Sequence, residues 1–412
     1  MLMSCRPNVH GATSTAQGIH LLPMELPSAA VINPAHNVRG KMSFIRRLGL
    51  GCIILAFLGL LYVPAYHSAQ GPLGIGETTS SGPSKLSRYL KPVEELHGWS
   101  FNASRNLNWY IHPHINTTIL SPNDSCTVSP SPYLLIVVCS AVGNQQQRMA
   151  IRDTWASETD LNSYNSTAIK VVFLLGQSDN ETLNNSILEE SHEYGDIVQE
   201  KFIDTYNNLT IKSVMLLKWV TTNCPQATYL MKTDDDMYIN IDNLVKALKS
   251  RPQSSGTLIG ALICHARPIL DPKNKWYTPK YMFSEKMYPN YLSGTGYVMS
   301  VDVASKLYQS ALSTPLLHLE DVYITGLCAG RAELKPVDHP GFSYVQRKLD
   351  TCTLRSVITA HKVDTSTMHA IWNKLKNSNT TCREKNATVQ HRHGRNVGYF
   401  PVKKRASSKH CG

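Results

Sequence analysis

The stretch Tyr133-Leu-Leu-Ile-Val-Val-Cys139 is an unbroken apolar run of strand length. A strand with one wet face alternates apolar and polar side chains. One without alternation is buried on both faces, as inside a largely parallel sheet covered by helices. Ile169-Lys-Val-Val-Phe-Leu-Leu175, ended by Gly176, is a second such run, and Asp196–Gln199 and Thr228–Thr233 supply shorter third and fourth strands. Between them the spacing changes. Ile211, Val214, Met215 and Val220 fall on one flank of a helix starting after Asn208, and Leu244, Val245 and Leu248 do so behind Asn240. This alternation predicts an α/β body with a mostly parallel, Rossmann-like sheet and helices on both faces. A chain of 412 residues has room for one large catalytic-sized body plus appendages, or for two domains. With 42% hydrophobic and 17% charged residues, wholesale disorder and collagen-like repeats are excluded.

Ahead of the body, Leu48 to Tyr66 form nineteen residues without a charge, close to the ~20 a helix needs to cross a bilayer. Arg39, Lys41, Arg46 and Arg47 crowd its N-terminal side, whereas residues 67–84 contain no Lys or Arg. The positive-inside bias therefore predicts a single-pass anchor: a cytosolic tail over 1–47, a transmembrane helix over 48–66, and the rest lumenal. A signal peptide starting at Met42 and cleaved after Ala65 is the alternative. Residues 67–125 read as a stem, 126–382 as the catalytic body and 383–412 as a basic flexible tail.

The net charge of +11 belongs to the two ends. Residues 1–47 carry +4 and residues 383–412 carry +7, leaving 28 basic and 28 acidic side chains over 67–382. With no overall field on the body, a nucleic-acid partner is not expected. Nine Asn-x-Ser/Thr sequons (Asn102, Asn116, Asn123, Asn165, Asn180, Asn184, Asn208, Asn379 and Asn386) all follow the apolar segment. So do eight of the ten cysteines, where disulfides can form, although spacing assigns no pairing. There is neither a Cys-x-x-Cys nor a His-Glu-x-x-His, the common zinc patterns.

The strongest chemical signal is Lys232-Thr-Asp-Asp-Asp-Met-Tyr-Ile-Asn240, directly behind a strand. Ligands of α/β sheets bind beyond the carboxyl ends of strands. Three adjacent carboxylates repel one another unless solvated or neutralised by a cation. If the segment is extended, Asp234 and Asp236 point the same way and offer hard oxygens to Mg²⁺ or Mn²⁺, with room for a diphosphate. A solvated acidic turn is the plain alternative. An EF-hand is excluded, because its sixth and twelfth positions would be Ile239 and Val245.

A second acidic pair, Glu320-Asp321, follows Leu316 and Leu317 and can supply a general base, although Glu-Asp also commonly starts helices. Between the clusters lies Tyr288-Pro-Asn-Tyr-Leu-Ser-Gly-Thr-Gly-Tyr297. Gly294 and Gly296 allow close backbone approach there, and Tyr291 and Tyr297 offer rings to a sugar. It is not a dinucleotide fingerprint, since Met299 stands where the third glycine belongs. Arg148 and Arg152, four apart, share one helical face suited to phosphate or carboxylate, or are simply surface arginines. His361 is a further metal-ligand candidate.

In this order, Arg148–Trp155, Phe173–Gly176, Asp204–Thr210, Lys232–Asn240, Tyr288–Tyr297 and Glu320–Tyr323, closed by His361 and Trp372, resemble the β1,3-glycosyltransferase family of galactosyl- and N-acetylglucosaminyltransferases. The resemblance implies a GT-A fold, a UDP-sugar donor, Mn²⁺ and inversion at the anomeric carbon. It also implies a Golgi type II membrane enzyme with a glycan acceptor, and leaves the oligomeric state open. Carried over residue by residue, it makes Asp234, Asp236 and His361 the metal and diphosphate anchor and Asp321 the general base. Arg148, Arg152, Lys232, Asp235 and Glu320 would serve the donor, and Tyr291, Gly294, Gly296 and Tyr297 the sugar or acceptor. The wording Leu319-Glu-Asp-Val-Tyr323 is closer to the galactosyl branch, so UDP-galactose is the expected donor and UDP-GlcNAc the alternative. Two features depart from the family pattern: Leu292 stands where several relatives carry Cys, and Ile324-Thr325 adds a residue before Gly326. A catalytically silent glycan-binding membrane protein, or a hydrolase pairing Asp236 with Asp321, are the readings from other classes.

Overall fold

The computed structural model describes residues 94–122, 126, 131–164, 167–377 and 382. The expected transmembrane segment and basic tail lie outside them. Among the described residues no helix is long and apolar enough to cross a membrane.

The body is an eight-stranded mixed sheet. Its strands are β1 (Thr118–Leu120), β2 (Leu134–Cys139), β3 (Ile169–Gln177), β4 (Ile197–Ile203), β5 (Tyr229–Asp234), β7 (Leu258–Ile263), β8 (Tyr291–Ser300) and β9 (Val337–Asp338). They are ordered β1-β4-β3-β2-β5-β8-β7-β9. The four strands expected from apolar runs form its parallel centre, β4-β3-β2-β5. All six residues of β2 are buried, as the lack of alternation requires. β8 then runs antiparallel to β5 and β7 antiparallel to β8. A separate ribbon pairs β6 (Met237–Ile239) with β10 (Thr359–His361).

Helices cover both faces. On one side α1 (Gln145–Arg152), α4 (Ile241–Lys249) and α6 (Thr365–Asn377) contribute to a core with Ile136, Val138 and Met231. On the other, α3 (Leu209–Asn223) and α5 (Val301–Ser313) pack on Leu135, Val137 and Leu230. The alternate residues of β2 and β5 thus feed opposite cores, as strand geometry dictates. Helix α2 (Glu181–Tyr194) precedes β4. Helix α4 begins where Asn240 caps it, its side chain accepting from the Asn243 amide at 3.0 Å.

Residues 94–122 are part of the body, not the expected stem. Leu107 and Ile111 are fully buried and Trp99 nearly so. β1 extends the sheet at β4. Lys218 Nζ donates to the Ile111, His112 and Ile115 carbonyls, and Arg105 donates to Leu316 O and Tyr281 O. Scattered anchors hold this segment down without periodicity, so no pattern in the sequence marks them. Cys126–Cys224 and Cys352–Cys382 form disulfides, and Cys139 and Cys328 are buried thiols.

Candidate active site

The sheet's direction of growth reverses at β2, which lies between β3 and β5, the arrangement that opens a crevice beyond the strand ends. Cys139 and Asp234 are register partners at those ends. The acidic run begins there. Asp234 ends β5, and Asp235 and Asp236 form the turn into β6 instead of continuing an extended segment, so the three carboxylates diverge. Asp234 accepts from Lys232 Nζ at 2.7 Å. Asp235 turns toward the loop after β2 and accepts from Ser140 Oγ at 2.7 Å and Asn144 Nδ2 at 2.9 Å. Burial raises its pKa, and those two donors oppose the shift. Its expected donor contact is replaced by a role in pinning that loop.

Asp236 meets His361. The β6–β10 pairing sets His361 opposite Met237, and His361 Nε2 lies 3.4 Å from Asp236 Oδ2. Asp236 Oδ1 and His361 Nδ1 are buried without hydrogen-bond partners. Such orphaned atoms call for an explanation, and a carboxylate beside an imidazole is a donor set suited to a hard or borderline divalent ion. No cluster of three or more His, Cys, Asp or Glu side chains fit for a metal exists among the described residues. An ion here would therefore need substrate oxygens or water to complete its shell.

The second acidic pair forms another wall of the same cavity, a space of about 490 Å³ lined by Asp234, Glu320, Asp321 and His361 among others. Volumes of this order accommodate small-molecule ligands. Asp321 Oδ1 accepts from the Val322 amide at 2.9 Å and Oδ2 from the Gly294 amide at 3.2 Å. Burial raises its pKa and the two amides pull it back. Glu320 accepts from Tyr297 OH at 2.6 Å and sits 3.4 Å from Lys232 Nζ. Burial is the largest cause lifting it to about 7. Lys232, also bonded to Gly294 O at 2.7 Å, thus links the Asp-rich turn to the Glu-Asp pair from below.

Four further expectations change. Arg148 is fully buried and its guanidinium is committed to Glu190, Ser140 Oγ and the Ala141 and Val142 carbonyls. Arg152 binds Asp196 through two nitrogens and Glu190 through a third, with its guanidinium over the Phe173 and Tyr194 rings. Neither lines the cavity. Arg148 positions the loop after β2, and Arg152 ties α1 to Glu190 and Asp196, rather than offering a hand to a nucleotide. Tyr297 is 1% exposed and lies beneath the cavity, supporting Glu320. Gly296 lies in β8 opposite Thr233, within the sheet. Tyr291 and Gly294 do line the cavity.

Residues missed from the sequence complete the walls: Tyr206, Lys275, Trp276, His318, Tyr344 and Lys362. Tyr206 lies within the Asp204–Thr210 motif. The others sit in loops where no period or spacing singles them out.

An open α/β sheet with carboxylates gathered at its switch point is the plan of an enzyme that takes a charged ligand beyond its strand ends, but a fold alone does not name the reaction. A family model described as Galactosyltransferase matches residues 146–340. Beta-1,3-galactosyltransferase 1 of Homo sapiens and of Mus musculus are each 37% identical over 320 residues, covering 77% of this chain and 95% of theirs. Beta-1,3-galactosyltransferase 2 of Homo sapiens is 37% identical over 286 residues, 66% of this chain and 67% of its own. The chain belongs to the galactosyltransferase family and is a hexosyltransferase.

Proposed function

We propose that this protein transfers galactose from UDP-galactose in β1,3 linkage to a GlcNAc- or GalNAc-terminated glycan of glycoproteins or glycolipids, with inversion. It does so as a type II enzyme of the Golgi membrane with a GT-A catalytic body. The observation that carries the reading is the placing of Asp321 and the Asp234/His361 wall on one cavity, although 87 residues separate the two aspartates.

Asp236 and His361 would hold a divalent ion, Mn²⁺ being suited to that donor pair, and Asp234 would sit beside the donor's diphosphate. When bound, such an ion supplies charge neutralisation to the leaving UDP. The chain's own work is done by Asp321. Its carboxylate takes the proton as the acceptor oxygen forms its bond to the anomeric carbon, while the bond from that carbon to the phosphate oxygen breaks and UDP departs with the electron pair. A single displacement inverts the centre. The Val322 and Gly294 amides oppose the upward pull of burial on the Asp321 pKa and fix its direction. Lys232 and Tyr297 hold Glu320 beside it.

Protein from residue 70 onward, secreted and supplied with Mn²⁺, should release UDP from UDP-galactose and yield a β1,3 product by linkage analysis. Asp321→Asn should keep donor binding and lose about 10²- to 10⁴-fold in transfer, the usual worth of a general base. Asp236→Ala should lose metal dependence. Preference for UDP-GlcNAc would replace the donor, undiminished transfer by Asp321→Asn would remove the base, and glycan binding without UDP release from any donor would overturn the enzymatic reading.

A further inference from the structure

We propose that His318 is a specificity-determining residue that reads one hydroxyl of the acceptor glycan, an inference that rests on the transferase reading above. His318 lines the same cavity and is only 2% exposed, yet neither Nδ1 nor Nε2 has a hydrogen-bond partner. A buried imidazole with both nitrogens unmet is expensive, because each polar atom has surrendered water without gaining a hydrogen bond. Burial holds the ring neutral, with its pKa lowered to about 4; the Tyr277 backbone opposes that shift without reaching hydrogen-bond geometry. A neutral imidazole has one N–H donor and one acceptor nitrogen. A sugar hydroxyl both donates and accepts, so it can satisfy either.

Placement favours the acceptor over the donor. The donor's diphosphate anchors, Asp234 and the Asp236–His361 pair, belong to β5, the turn after it, and β10. His318 lies on the segment that leads into Asp321, the group that must touch the acceptor oxygen. That segment is fixed on both sides of its approach: Arg105 Nε donates to Leu316 O at 2.7 Å and Thr210 Oγ1 donates to Leu317 O at 2.6 Å. The imidazole is thus carried on a rigid strap three residues from the base. Trp276, 47% exposed, and Tyr288 line the cavity as well and offer flat apolar faces of the kind sugar rings stack on. A polar reader set within an aromatic wall selects strongly, since an analogue lacking the matching hydroxyl leaves it unpaired.

The test uses full-length enzyme in detergent, with a series of acceptor disaccharides each lacking one hydroxyl. For the wild type, one member of the series should bind at least 10-fold more weakly than the parent, in titrations without donor. His318→Leu should weaken the parent acceptor by a similar factor, raise its KM while leaving the KM for the UDP-sugar unchanged, and no longer distinguish that member. His318→Gln, which keeps a donor and an acceptor, should recover part of the discrimination and guards against misfolding in the leucine variant. Equal discrimination by wild type and His318→Leu across the whole series, or an unchanged acceptor affinity, would overturn the proposal and leave a structural histidine. Because binding is read without turnover, failure of wild-type enzyme to use UDP-galactose would sink the donor assignment while the titrations still decided the role of His318.

Discussion

Glu320 shows how a single side chain's surroundings translate into an observable. Buried against Tyr297 and Lys232, it titrates near 7, so its charge changes across neutral pH while that of an exposed glutamate would not. Its raised folded-state value means the fold prefers the protonated form. The associated stability is present in acid and is lost as pH rises from the ordinary 4.5 to about 7. Glu320→Gln keeps an acceptor for Tyr297 and leaves Lys232 its bond to Asp234. The thermal midpoint of the variant should therefore gain on that of the wild type as pH climbs through this window, and the wild-type bend near pH 7 in kcat/KM should disappear. A constant difference in midpoint from pH 4.5 to 8 would show that the Glu320 charge is not suppressed by its site. None of this was visible in the string Glu-Asp, which reads equally as a helix start. The arginines teach the converse: their shared helical face was legible from the four-residue spacing, but Glu190 and Asp196, which occupy them, lie 42 and 44 residues further along and carry no local mark.

At the scale of elements, the helix behind Asp321 is wound more widely than an α-helix. Val322–Cys328 is a π-helix, which widens each turn by one residue, a form often found at functional sites. Thr325 lies in that segment and its hydroxyl joins three backbone groups. It accepts from Leu292 N at 2.8 Å and lies within bonding distance of Asp321 O at 2.7 Å and Leu292 O at 3.2 Å. The hydroxyl therefore ties the π-helix behind Asp321 to the start of β8. Leu292, which meets Thr325 through its backbone, is fully buried. Thr325→Val keeps the shape but strands the Leu292 amide, which should cost ~1–3 kcal/mol in urea unfolding. Transfer should fall with it, as Asp321 loses its support. Unchanged stability would mean the amide finds another partner. Close approach is enforced from the other side too: a Cβ on Gly294 would sit 2.9 Å from Glu320 Oε2 and 3.3 Å from Asp321 Cβ. The sequence pointed to close backbone approach at Gly294, yet not to the strand that carries it. β8 runs through Ser-Gly-Thr-Gly, a composition that strands disfavour, and burial between β5 and β7 overrides that preference.

For the whole molecule, the parallel centre was legible because burial on both faces forces unbroken apolar runs, whereas the N-terminal wrap, held by scattered contacts, and the antiparallel half, whose β8 carries Ser-Gly-Thr-Gly, were not. The same contrast governs which sequons can carry glycans if the body faces the lumen. Asn102, Asn116 and Asn180 are exposed, and none of their side-chain nitrogens donates a hydrogen bond that the fold depends on. Asn184 Nδ2 donates to Ser178 O at 2.8 Å, and Asn208 Nδ2 donates to Ile203 O at 2.9 Å beside the fully buried Thr210 of its own sequon. A glycan on either nitrogen would have to displace those bonds or project into packed chain. Glycopeptide mass spectrometry of protein made in a secreting eukaryotic cell should therefore find sugar at Asn102, Asn116 and Asn180 and leave Asn184 and Asn208 bare. Bare asparagines at all five would argue that the body never enters the lumen, and would remove the type II orientation along with the compartment in which Cys126–Cys224 and Cys352–Cys382 can stay oxidised.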